Sequence, residues 1–77
     1  MEWVALVLDW DGQKGHVIFQ DDLGNLYRTS VMPVITPQTI AEQISKISGT
    51  PLNRVVFHDT KKKIYGGTTY RFAVFPF

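Results

Sequence analysis

The stretch Thr36-Pro37-Gln38-Thr39-Ile40-Ala41-Glu42-Gln43-Ile44-Ser45-Lys46-Ile47-Ser48-Gly49 decides the fold, because it is the clearest helical pattern in the chain. Thr36 suits the N-cap, and Pro37 suits the first helical position, where the missing N–H would have no helical partner anyway. Ile35, ahead of the cap, can pack on Ile40 as a hydrophobic staple. Ile40, Ala41, Ile44 and Ile47 fall on one stripe, while Glu42, Gln43 and Lys46 face away. Gly49 suits the residue just past the helix, and Thr50-Pro51 prevents continuation. The spacing predicts one helix over 37–48.

On either side the chain has the pattern of strands and turns. Trp3–Leu8 is continuously apolar, which places it in the middle of a sheet or under cover on both faces. Asp11-Gly12 and Gly15 punctuate the chain, and His16–Gln20 is a second strand, antiparallel because its connection is short. Asp21–Asn25 makes another reversal, with Gly24 and Asn25 tolerant of positive φ. A third strand is expected over Leu26–Met32, with Leu26, Arg28, Ser30 and Met32 on one face and Tyr27, Thr29 and Val31 on the other. After the helix come strands over Leu52–His58 and Thr68–Phe75; in the latter Tyr70, Phe72 and Val74 alternate with Arg71, Ala73 and Phe75. Pro76 stops further ladder pairing. The expectation is a single α+β domain spanning 1–77 in the order βββαββ: one antiparallel-rich sheet of about five strands with one helix on one face.

The 77 residues carry eight Lys and Arg against seven Asp and Glu, and are 44% hydrophobic and only 19% charged. Such a chain folds, but it is too short for two domains or a full doubly wound sheet, which excludes most enzyme scaffolds. Its near-neutral charge argues against a protein that coats nucleic acid. Cysteine is absent, so neither a disulfide nor a thiolate metal site is available. No signal-like segment and no apolar run near twenty residues occurs, so a cytoplasmic protein without membrane contact is expected. The ten aromatic rings are expected mostly in the core, where each can bury about 150–250 Å².

From residue 26 onward the order of hairpin strand, helix, strand, turn and strand resembles the β-grasp arrangement of the ubiquitin-like superfamily. Thr39-Ile40, Ile44 and Ile47, the connection at Pro51, and Val55-Val56-Phe57 before a lysine-bearing turn carry the resemblance. It implies a β-grasp-like fold over about residues 26–75 and a binding module. An extra strand precedes that segment, the chain ends in Phe75-Pro76-Phe77, and Gly66-Gly67 is internal. Conjugation through a terminal glycine is therefore not implied.

Catalytic groups are sparse. Val7-Leu8-Asp9-Trp10-Asp11-Gly12 resembles the nucleophile loop of haloacid-dehalogenase-type phosphatases, which need two carboxylates beyond a buried strand and a metal between them. Here the next strand begins within a few residues, which fits a hairpin turn and not a crossover. His16, His58, Asp59, Asp9 and Asp11 lack a recognised ligand spacing, and Ser30, Ser45 and Ser48 lack a base and an oxyanion loop. Neither an enzyme nor a metal or other cofactor is expected.

Contact surfaces are better supported. Trp3 and Trp10 lie an odd number of residues apart, so they cannot both sit under one helix. The Thr68–Phe77 segment is poor in charge and ends near two phenylalanines. The expected function is a small non-enzymatic protein-binding module, an adaptor or inhibitor, docking through its open sheet face or an edge strand. Trp3, Trp10, Phe75 and Phe77 are its candidate partner-binding residues, and its partner is another protein or a second copy in a homodimer. Small size and lack of machinery suit a viral or mobile-element inhibitor. The alternative is weak nucleic-acid binding by Lys61, Lys62, Lys63, Tyr65, Tyr70 and Arg71, where cations meet phosphates and rings stack on bases. Three lysines in a turn also keep a hairpin soluble and discourage edge pairing.

Overall fold

A computed structural model describes residues 1–9, 15–29, 32–62 and 67–75, without the side chains of Asp9, Lys61 and Lys62. Strands β1 (Glu2–Asp9), β2 (Gly15–Gln20), β3 (Leu26–Arg28), β4 (Val55–Lys62) and β5 (Gly67–Val74) form one sheet in the order β3-β2-β1-β5-β4. All neighbouring strands are antiparallel. Helix α1 (Pro37–Ser48) lies on one face, so the architecture is the small α+β fold expected from the sequence. In the segment resembling a β-grasp, α1 leads into the β4–β5 hairpin; β3 lies at the far edge, with β2 and β1 between it and β5.

The two faces follow from strand periodicity. Trp3, Ala5 and Val7 of β1 pair with Phe72, Tyr70 and Thr68 of β5. Val17 and Phe19 of β2 lie opposite Val7 and Ala5. These side chains meet Ile40, Ala41 and Ile44 of α1 in a single core, which Val55, Val74 and Met32 complete. β1 is central, as its apolar run requires, but the described residues cover only one of its faces: Val4 and Leu6 are half-buried and Leu8 is exposed. The run is unbroken because the uncovered face is apolar too.

α1 begins and ends where the sequence places it. The Thr36 side chain accepts from the Thr39 backbone N–H at 3.2 Å, and Thr39 Oγ1 accepts from the Thr36 N–H at 2.9 Å. This reciprocal box satisfies two donors with threonine in the place usually held by Glu or Gln. Gly49 closes the helix at φ 72°, and its N–H bonds the Ser45 carbonyl at 3.0 Å. Thr36→Ala is expected to cost about 1 kcal/mol, lowering the thermal midpoint by about 4–8 °C in a domain of this size. Circular dichroism melting checks it; an unchanged midpoint would show that the cap contributes nothing.

Three boundaries differ from expectation. β3 stops at Arg28, and Met32 instead bridges to Gly15, its N–H 2.9 Å from the Gly15 carbonyl. Met32 is thereby a core residue and shares no face with Leu26 and Arg28, and Pro33 cannot donate to a continuing ladder. Leu52–Arg54 forms a 3₁₀ turn after Pro51, so β4 starts at Val55. It then runs on through Lys61 and Lys62, which lie in a strand and not in a turn. The register slips between Phe57 and Asp59, leaving His58 as a bulge.

The β2–β3 turn is organised by Asp21. Its carboxylate accepts from the backbone N–H groups of Leu23 and Asn25, from the Asn25 side chain and from the Tyr27 hydroxyl, at 2.9–3.0 Å. Desolvation would raise its pKa, but these donors together outweigh it and hold the carboxyl below its ordinary value. Gly24 supplies the positive φ, 87°, that the reversal needs.

Candidate functional site: the open sheet face

The residues that alternate with the core set form the face away from α1. β1 contributes Glu2, Val4, Leu6 and Leu8; β2 contributes His16, Ile18 and Gln20. β5 contributes Thr69, Arg71 and Ala73; β3 contributes Leu26 and Arg28, and β4 contributes Val56 and Asp59. Val4, Leu6, Leu8 and Ile18 make a continuous aliphatic patch, because Leu6 lies directly opposite Ile18 across the β1–β2 ladder. Leu8 remains 41% exposed, Val56 47% and Leu26 67%. Folding leaves these side chains in water.

Charge reaches the patch itself, because Arg71 of β5 lies directly opposite Val4. Arg71 donates to Glu2 at 2.8 Å and to Asp59 at 3.2 Å, clamping β1 and β4 across β5. The hydrogen bond from Arg71, then its positive charge, holds the Glu2 carboxyl below its ordinary value, and Glu2 in turn raises that of Arg71. Two carboxylates share one guanidinium here, and the Met1 ammonium, bonded to the Val74 carbonyl at 3.0 Å, also acts on Glu2. Arg28 stands at the opposite edge, on β3, and there Leu8, His16, Ile18, Arg28 and Thr29 line a shallow depression of about 200 Å³.

Neither edge favours strand addition. β3 has only three residues, and β4 carries the bulge and two lysines. Short strands, bulges and lysines all discourage edge pairing.

The expected anchors are distributed differently. Trp3 is 3% exposed and belongs to the core; its ring stacks on Tyr27 with centroids 5.4 Å apart and an interplanar angle of 13°. Position 3 points under α1, so Trp3 offers nothing to a partner, and its buried Nε1–H has no hydrogen-bond acceptor among the described residues. Phe75 is 47% exposed and is tied by its N–H to the Arg54 carbonyl at 2.9 Å. Trp10 and Phe77 lie outside the described residues. The patch of half-buried Val4, Leu6 and Ile18 with exposed Leu8 lies in strands whose apolar residues all read as core. Its one signal was an apolar run longer than a single helix can cover on both sides.

Of the basic and aromatic residues of β4 and β5, Tyr70 and Arg71 lie on opposite faces of the sheet. Tyr70 packs against the core on the helix side, whereas Arg71 faces the open side and is paired with two carboxylates. Lys61 pairs with Thr69 and Lys62 with Thr68 in the ladder, and Lys63 and Tyr65 lie outside the described residues. Phe57, 40% exposed, packs on Phe72 and Tyr70 with centroids 5.4 and 6.2 Å apart, and was not anticipated as a surface ring.

Among the described residues, no group of three or more His, Cys, Asp or Glu is placed to hold a metal ion. No described helix is long and apolar enough to cross a membrane. No known protein family, curated protein or solved structure matches the chain.

Proposed function

We propose that this chain is a small non-enzymatic protein-binding module that docks through the sheet face opposite α1. The observation that carries the proposal is the aliphatic patch of Val4, Leu6, Leu8 and Ile18 on a face that no part of the described chain covers. The blunted edges favour face docking over strand addition. An adaptor or inhibitor needs nothing more than such a surface held rigid by the helix behind it.

Leu6→Lys places a charge in the middle of the patch without entering the core. Affinity capture with the tagged chain is expected to lose its specific partner on Leu6→Lys and to keep it on Glu42→Lys, which alters the exposed side of α1. Equal capture by a folded Leu6→Lys variant would overturn the assignment of the face.

A further inference from the structure

We propose that the depression at the β3 edge of the open face is a binding site for a small aliphatic carboxylate, its branched tail on Leu8 and Ile18 and its anionic head paired with Arg28. The site lies on the proposed docking face but does not rest on that reading, since it is a property of the single chain.

The register builds the site. His16 and Ile18 alternate on β2, so both face away from α1; Leu8 stands directly opposite His16, and Arg28 directly opposite Ile18. These four side chains stand around one stretch of β2, and the depression of about 200 Å³ opens among them. Its end at Thr29 is fixed by the backbone. There the Thr29 N–H donates to the Val17 carbonyl at 3.1 Å, and the Thr29 hydroxyl donates to the same oxygen at 3.4 Å.

The lining dictates the ligand. Leu8 is exposed and Ile18 half-buried, so apolar area remains for a tail to cover. Arg28 is exposed and, among the described residues, no carboxylate pairs with it, whereas Arg71 bonds both Glu2 and Asp59. A guanidinium without a counter-charge at the rim of an aliphatic floor complements a carboxylate joined to an apolar chain, and repels a cation. Size limits that chain. The depression holds the equivalent of about seven waters at about 30 Å³ each, which is room for about seven or eight non-hydrogen atoms. β1 and β3 are two strand spacings apart, about 10 Å, so such a molecule can lie on Leu8 at one end while the Arg28 side chain reaches the other. Drug-sized ligands, which need about 300 Å³ or more, are too large.

The probe is isocaproate, titrated into the isotope-labelled full chain at constant ionic strength and followed by amide chemical shifts. Saturating shifts are expected at Leu8, His16, Ile18, Arg28 and Thr29, with a midpoint in the millimolar range that suits so small a ligand. Isocaproamide, the uncharged isostere, should bind about three- to fivefold more weakly, as should isocaproate to Arg28→Gln, the size of an exposed arginine–carboxylate pair. Acetate has the head without the tail, and isoamylamine has the tail with the opposite charge; each should bind about tenfold more weakly or worse. N-acetyl-leucine adds the amide of a chain terminus to the same head and tail. It should also bind more weakly, because that amide meets an aliphatic floor with no partner for it. Isocaproate that fails to saturate overturns the proposal. Equal binding of isocaproamide removes the pair with Arg28 and overturns it too, as does acetate binding as tightly as isocaproate. Tighter binding of N-acetyl-leucine reassigns the site to a chain end and overturns the free acid as its ligand. All of these arms use wild type, so the decision stands even if Arg28→Gln does not fold. Capture of a partner by Leu6→Lys reads the docking face and this titration reads the depression, so either can fail alone.

Discussion

Replacing Phe72 with alanine is expected to destabilise the domain by about 3–5 kcal/mol, the usual cost of deleting a fully enclosed phenyl ring. Phe72 is fully buried, sits directly opposite Trp3 on β1 and Phe57 on β4, and is one of the largest enclosed side chains. A chain of 77 residues has a total stability of about 4–12 kcal/mol, so this one truncation removes much of it. Urea titration should show the midpoint falling with an unchanged slope. A loss below about 1 kcal/mol would mean that the ring is not enclosed.

The second large effect is a contrast between neighbours. Val7→Lys should abolish cooperative folding, because position 7 is buried on the helix side and an unpaired ammonium cannot be solvated there. Leu6→Lys, one residue earlier, should leave the monomer folded with its melting midpoint within a few degrees of wild type. The difference tests strand parity directly, since a register one residue out would exchange the two outcomes. Thermal melts of both variants, followed by near-UV circular dichroism, decide it.

The helix was readable from local chemistry alone: Thr36, Pro37 and Gly49 bracket a stripe of isoleucines, and each acts within its own turn. The strands were readable as to type, but their ends were not. Whether β4 began at Leu52 or Val55 depended on the 3₁₀ turn that follows Pro51, and whether it stopped at His58 depended on pairing with Thr68–Arg71. Those are properties of a ladder between distant segments, which no single window contains. The candidate site suffered from the same limit. Trp3 has the chemistry of an anchor, because indoles so often hold contacts, yet positions 3, 5 and 7 of β1 are the covered ones. Leu6 and Ile18 carry no such signal, because an isolated aliphatic residue in a strand looks alike whether it lies under a helix or under water. Only the register that sets Leu6 against Ile18, with α1 behind Val7 and Val17, separates the two.

The blunted margins of the sheet also bear on its fate at high concentration. A short first rim and a kinked, lysine-tipped second rim give incoming backbone no template, so fibrous growth along the hydrogen-bonding direction is blocked at both ends.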